Sequence, residues 1–393
     1  MTTSPAAAGP LMPTYAPARV TFVRGEGTRL YDDAGTEYLD FLCGLAVTSL
    51  GHAHPAVAEA IARQARTLLH TSNLFATLPG PQVAATLDRL LGGGGQVFFT
   101  NSGAEANECA IKLARKWGGH GRFGVISAYG SFHGRTLATL TATGQPAKHE
   151  PFQPLPEGFR HVAWADADAL EAAVDPTVAA VLLEAVQGEG GVNPAPPGYL
   201  AQVRRICDDH GLLLMVDEVQ TGLGRTGRWW GFEHAGVRPD VVTSAKALGN
   251  GVPIGACWAR SEVAAAFVPG DHGSTYGGQP LAAAAAAAVL EVMEAADVPA
   301  RAARAGAVLR DAVGALPGVT AVRGLGLLLA AELDPAVGPA GDVAAAALDA
   351  GLVVNAVTPT AIRLAPPLLV TDEDIAEGVA RLGRALGAGG GRP

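Results

Sequence analysis

The stretch Leu212-Leu213-Leu214-Met215-Val216-Asp217-Glu218-Val219-Gln220 sets a carboxylate at the end of an unbroken apolar run. A strand this apolar is buried on both faces, as in parallel sheets covered by helices. Desolvating Asp217 there is costly unless it meets a cation, and a protonated ring nitrogen would be one. Further on, Pro239-Asp240-Val241-Val242-Thr243-Ser244-Ala245-Lys246 repeats the design with a lysine, trailed by Ala247-Leu248-Gly249-Asn250-Gly251. A lysine in such surroundings loses basicity and becomes a nucleophile toward an aldehyde. Either residue alone reads more readily as a structural charge. An acid and an amine at successive strand ends of one sheet read as chemistry.

Outward from this pair, short β-rich runs recur between amphipathic stretches: Gln96–Thr100, Phe123–Ile126, Ala179–Leu183, Leu212–Val216, Val241–Ser244 and Gly255–Trp258. The alternation predicts an α/β fold, a mainly parallel sheet covered by helices, with ligands at the C-terminal ends of the strands. Val20–Asp40 alternates between Gly-containing turns and predicts a small hairpin element. An Ala-rich helix opened by Pro280 follows the sheet, then short strands at Gly326–Leu333 and Ile362–Leu364 and a final helix near Asp372–Leu386. The expected division is a large unit over 56–284 and a smaller α+β unit built from both chain ends, 1–55 and 285–393. The tail GAGGGRP, at 387–393, is expected to be disordered.

The chain has 393 residues, 49% of them apolar, enough for a large core with a smaller lobe. Its net charge of −9 gives no overall positive field for nucleic acid or anionic lipid, which favours small-molecule chemistry. Cys43, Cys109, Cys207 and Cys257 lack zinc-site spacing and read as small core residues in a reducing cytosol. The first twenty residues lack the basic start and apolar segment of a signal peptide, and the run Leu281–Leu290 is mostly alanine and too short for a bilayer. A cytoplasmic enzyme is expected.

Val97–Thr100 followed by Asn101-Ser102-Gly103-Ala104-Glu105 reads as strand, tight turn and helix start. Ser102 and Glu105 have capping-box spacing, and Gly103 permits close backbone approach, so the helix N-terminus suits a phosphate. Taken alone it reads more readily as an ordinary capped helix. Gly222-Leu223-Gly224-Arg225-Thr226-Gly227 matches a dinucleotide fingerprint, but it does not leave its strand directly, no amphipathic helix follows, and Asp240 precedes its strand. His52 and His54 have no third partner spaced for a metal, and a turn beside the active site is their expected place.

With these residues in view the chain resembles the class III (ω-) aminotransferases, fold-type I enzymes that use pyridoxal 5′-phosphate (PLP). The resemblance runs nearly end to end, through YAPARV, VRGEGTRLYDDAGTEYLDF, GHAHP, FFTNSGAEANE, FHGRT, QGEGGV, DEVQTGLGRTG, AKALGNGVPIGA, HGSTYGG, RGLGLLL and RLAPPL. Three positions depart from the family's habit: Ala185 for proline, Asn250 for glycine and Gln279 for asparagine.

The resemblance implies that Lys246 holds PLP covalently and then carries a proton between substrate and cofactor. Asp217 would keep the ring nitrogen protonated, Gln220 would contact the ring hydroxyl and Phe132 would stack on the ring. The phosphate would rest on the backbone of Ser102, Gly103 and Ala104, joined by Thr275, which relatives lend from a partner subunit; a homodimer is implied. Arg135 and Arg363 would bind substrate carboxylates, as guanidinium groups do in bidentate fashion. Glu189 would neutralise Arg363 and swing away when glutamate binds. The implied reaction moves the δ-amino group of N2-acetyl-L-ornithine to 2-oxoglutarate on the route to arginine. Leu45 stands where relatives acting on free ornithine carry a tyrosine that helps hold the α-group, and leucine there favours the acetylated donor. The alternatives are another donor of the same family (ornithine, succinylornithine, succinyldiaminopimelate, 4-aminobutyrate or a lysine-pathway intermediate) and a PLP aminomutase or racemase. The latter would have little use for a paired Glu189 and Arg363.

Overall fold

In the computed structural model, which describes residues 10–389, all six apolar runs form strands, and Phe159–Val162 joins them in a seven-stranded sheet. Across the sheet the order is Gly95–Thr100, Gly255–Arg260, Val241–Ser244, Leu213–Asp217, Val178–Glu184, Gly124–Ala128 and Phe159–Val162. Gly255–Arg260 pairs antiparallel with both neighbours; every other pairing is parallel. The strands Val178–Glu184 and Leu213–Asp217 are buried at every position. Their side chains alternate between two cores, with Val181, Leu183, Leu214 and Val216 on one face and Ala180, Leu182, Leu213 and Met215 on the other. Phe159–Val162 is an edge strand, half-buried and interrupted by Arg160 and His161, so it lacks the apolar run that marks the others.

The parallel register sets Asp217 level with Glu184 on one side and Thr243 on the other. Lys246 opens a short 3-10 turn just beyond Ser244. Acid and lysine therefore leave the same edge of the sheet, where a parallel arrangement places its ligands.

Val20–Asp40 forms three strands rather than one hairpin, Phe22–Glu26, Arg29–Asp32 and Glu37–Asp40. Leu352–Val353 adds a fourth, parallel to Glu37–Asp40, and ties the start of the chain to its end. A second four-stranded sheet has the order Val319–Leu325, Leu328–Leu333, Ala361–Leu364, Asn355–Thr358. The final helix spans Asp372–Gly389 and opens on three acids, which suit the positive end of its dipole. Residues 390–393 of the tail, like residues 1–9, lie outside the described residues. Pro280 opens the helix Pro280–Ala295 as expected. That helix runs through the expected division at 284–285, and we propose that the change of unit falls at its end, near Asp297.

The dinucleotide-like segment is a set of turns, with Leu223, Gly224 and Gly227 at positive φ. Arg225 is buried and donates to the carbonyls of Leu327 (3.1 Å) and Pro366 (2.6 Å) and to Ser49 Oγ (3.0 Å), so the segment fastens the sheet to the C-terminal part of the chain. Burial pushes its guanidinium down to about 10. All four cysteines are free and buried. Among the described residues no cluster of side chains could hold a metal ion, and no helix is long and apolar enough to cross a membrane.

Candidate active site

A cavity of about 370 Å³ opens at the C-terminal ends of the central strands, and Gly103, Asp217, Gln220, Lys246, Phe132 and Arg135 all line it. Its first corner is the start of the helix Gly103–Gly118. Ser102 Oγ accepts the Glu105 N–H at 3.2 Å, half of the expected capping box. The other half is displaced by one residue, because the Glu105 carboxylate accepts the N–H of Asn101 (2.8 Å) instead of that of Ser102. In the first helical turn the N–H groups of Gly103 and Ala104 have no intrahelical acceptor. A Cβ at Gly103 would come within 2.7 Å of Val219, so this approach needs glycine.

Asp217 is held from three directions. Its Oδ2 accepts from Asn107 Nδ2 at 2.7 Å and faces His133 Nδ1 at 2.9 Å, while Oδ1 accepts the Val219 N–H at 3.0 Å. A carboxylate only accepts, so His133 carries its hydrogen on Nδ1. Asn107 is fixed in turn, with its oxygen accepting from Thr243 Oγ1 at 2.7 Å and its nitrogen also reaching the His133 carbonyl at 2.8 Å. Sequence reasoning missed both residues. Asn107 carried a signal, since it is a polar residue on the buried face of its helix; His133 carried none. Glu184 was missed too, although it ends its strand as Asp217 does. Its oxygens accept the N–H groups of Phe132 (3.1 Å) and Gly188 (3.3 Å), and burial, followed by the charge of Asp217, pushes its carboxyl well above the ordinary range.

Lys246 has a left-handed backbone, with φ at 43°. Outside glycine this region costs of order 1–3 kcal/mol and persists where the surroundings impose it, often at functional sites. Burial lowers the lysine's basicity, against the pull of Glu189. The amine is therefore closer to its nucleophilic form than an exposed lysine.

The far wall carries the ion pair that the resemblance implied. Glu189, between the short strands Val186–Gln187 and Asn193–Pro194, meets Arg363 Nη1 at 2.5 Å. Arg363, on the strand Ala361–Leu364, is fully buried, and its Nη2 has no hydrogen-bond partner among the described residues. Burial drives the Glu189 carboxyl upward, but the charge and hydrogen bond of Arg363 outweigh it and leave it below its ordinary value. Gln220 joins this wall to another: its Oε1 accepts from Arg363 at 3.4 Å, and its Nε2 reaches Glu189 (3.4 Å) and the Leu45 carbonyl (3.3 Å). Arg135 is exposed at the mouth, with its guanidinium 5.6 Å from the centre of the Phe132 ring.

Two expected residues stand elsewhere. Leu45 does not line the cavity; its side chain is 38% exposed, because Cys43–Ala46 form a left-handed turn that brings only its carbonyl to the site. Val47 lines the cavity in its stead. Thr275 lines a separate groove of about 800 Å³ with Asn73, Phe75 and Gly277, so within one chain it does not join the Gly103 corner.

A helix-covered sheet with a half-buried lysine and a braced carboxylate at adjacent strand ends is the architecture of fold-type I enzymes. The chain matches the class-III aminotransferases over residues 12–386, and it belongs to that family. It is 49% identical over 389 residues to the acetylornithine aminotransferase of Corynebacterium efficiens, covering 96% of this chain and 94% of that one. It is 48% identical to that of Caldanaerobacter subterraneus subsp. tengcongensis, with 93% and 94% covered. Among solved structures, it is similar to N-acetylornithine aminotransferase from Stenotrophomonas maltophilia, with TM-score 0.83, 39% identity and coverage of 95% and 96%. It is also similar to ornithine aminotransferase from Toxoplasma gondii, whose active site partially holds PLP, with TM-score 0.91, 36% identity and coverage of 96% and 92%.

The buried pair predicts a behaviour of its own. Removing Glu189 leaves a buried cation uncompensated, a change that costs about 3–5 kcal/mol, with the lower end expected because Glu189 is 28% exposed. A dicarboxylate such as glutarate can replace the missing charge, so it should raise the melting temperature of Glu189→Ala by more than that of the unaltered protein. Equal shifts in the two proteins contradict the role assigned to the pair.

Proposed function

We propose that this enzyme transfers the δ-amino group of N2-acetyl-L-ornithine to 2-oxoglutarate, giving N-acetyl-L-glutamate 5-semialdehyde and L-glutamate. The observation that carries this reading is the closed Glu189–Arg363 pair together with an Arg135 that lines the same cavity and forms no ion pair among the described residues. With the pair closed, the cavity offers one free guanidinium, for a donor whose reacting end is an uncharged amine. With Glu189 displaced, it offers two, one for each carboxylate of glutamate or 2-oxoglutarate.

The cavity suits PLP at every corner: N–H groups at Gly103 and Ala104 for a phosphate, a braced carboxylate at Asp217 for a protonated ring nitrogen, and a partly desolvated amine at Lys246 for an aldehyde. PLP supplies, when bound, the carbonyl that takes up the amino group and the ring that withdraws electrons. Asp217, oriented by its three donors, would face the ring nitrogen and favour its protonated form. Lys246 Nζ, made less basic by burial, accepts the proton from the substrate carbon and returns it. Arg135 orients the donor by its carboxylate.

Donor choice follows from which acids remain free. Glu184 is driven toward its neutral form, Asp217 is committed, and Glu189 is paired with Arg363. A free α-ammonium would lose hydration here and meet no acceptor, a loss of about 1–3 kcal/mol. Acetylation removes that charge. The expected preference for N2-acetylornithine over ornithine is about 10- to 100-fold in kcat/KM, since about 1.4 kcal/mol is tenfold. Single-turnover rates with both donors test it. No preference in the unaltered enzyme sinks the reading.

The enzyme acts as a homodimer in the cytoplasm. Support for the dimer is the position of Thr275, which lines a groove separate from its own chain's cavity and flanked by the exposed Leu74, Phe75 and Tyr276. Mixing inactive Lys246→Ala and Thr275→Ala subunits should restore activity, because each mixed dimer then has one intact site. No recovery after confirmed exchange contradicts the sharing.

A further inference from the structure

Left-handed backbone is concentrated in two segments that face each other. One is the loop carrying Lys246, where Lys246 has φ 43° and Asn250 has φ 46°. The other is the turn Cys43–Ala46, with φ values of 52°, 60°, 69° and 64°. The bonds Ala46 N–H to Leu42 O (2.9 Å) and Val47 N–H to Cys43 O (2.7 Å) make it a single left-handed helical turn. L-residues avoid this region, so both segments need external restraint.

The turn has its own. Asp40 Oδ1 accepts the N–H groups of Leu42 (2.9 Å) and Cys43 (2.8 Å), and Asp40 Oδ2 is 2.8 Å from His52 Nε2. The His52 backbone is clamped to Gly27 in both directions, at 2.8 and 2.9 Å. This gives the unassigned His52 a place: it braces the acid that braces the turn presenting the Leu45 carbonyl to Gln220.

The lysine loop has far less. Its backbone bonds, such as Gly249 N–H to Lys246 O (3.1 Å) and Asn250 N–H to Ala247 O (3.2 Å), are internal and move with it. Among the described residues, three hydrogen bonds leave 246–252: one, Leu248 N–H to Ala245 O (2.9 Å), runs only to the adjoining residue, and the other two come from the side chain of Asn250. Its Oδ1 accepts the Leu50 N–H at 2.8 Å, and its Nδ2 donates to the Gly51 carbonyl at 3.1 Å.

We infer that Asn250 is a positioning residue of the active site, whose side-chain amide fastens the loop bearing Lys246 to the strap Asp40–His52 and so fixes the lysine relative to the wall that holds Gln220. Only a residue that tolerates a left-handed backbone and carries both a donor and an acceptor can do this. Asparagine does both; glycine does only the first.

That difference supplies the test, which rests on Lys246 being the lysine that binds PLP. Asn250→Gly keeps the backbone conformation and deletes only the two bonds. Apoprotein is mixed with PLP, and covalent attachment and release are followed by the visible absorption band and by borohydride trapping. Attachment in Asn250→Gly should slow, or release quicken, by about tenfold, as expected for two bonds of modest net worth. Asn250→Asp, which keeps the acceptor for Leu50 but sets a carboxylate oxygen against the Gly51 carbonyl, should impair attachment at least as much. A lowered melting temperature with unchanged attachment, release and absorption maximum would make Asn250 merely structural and overturn the proposal. Cofactor trapped on another lysine in the unaltered protein overturns the underlying reading and the proposal with it.

Discussion

A carboxylate at the end of a strand buried at every position has to be solvated by protein groups. Asp217 is so solvated, and the rest of the site follows from how. Its donors come from the helix Gly103–Gly118, from the loop holding Phe132 and His133, and from the turn after its own strand. Asn107 is in turn anchored by Thr243 on the next strand. Those elements converge only if the parallel register sets Glu184, Asp217 and Thr243 side by side. The same convergence brings a helix N-terminus and Lys246 to that sheet edge. Removing one donor would leave buried polar groups unmatched, which is the expensive case in a low-dielectric network.

The second buried charge works differently. Arg363 lies on a sheet distant in sequence and enters the site fully buried, with one nitrogen unpartnered among the described residues. A buried guanidinium that binds only one carboxylate oxygen can exchange it for another carboxylate at little net cost. Glu189 sits between the strands of a short two-stranded element and not on the central sheet, which suits the displacement proposed for it. Gln220 touches both members of the pair and the Leu45 carbonyl, so the state of the pair is felt at the opposite wall.

Asp217 and Lys246 were legible in the sequence because each contradicts the apolar run that precedes it, and that contradiction is local. The strands of the sheet were legible for the same reason, save Phe159–Val162, whose edge position allows arginine and histidine. Asn107, His133 and Glu184 were not, because their roles depend on the register between elements. Glu189 and Arg363 are paired across 174 positions, and no local pattern joins them; the family resemblance did. Leu45 shows the opposite failure. Its position was sound, but a left-handed turn that the sequence does not announce sends its side chain outward and its carbonyl inward.

Everything assigned to this site depends on one covalent partner for PLP, and the most direct measurement is borohydride reduction of the purified protein followed by peptide mapping. The account predicts a yellow protein that bleaches on reduction and carries the cofactor on the peptide containing Lys246. It also predicts that Asp217→Ala still forms that link while turning over almost no substrate. A label on any other lysine, no label at all, or near-normal turnover without Asp217 would contradict it.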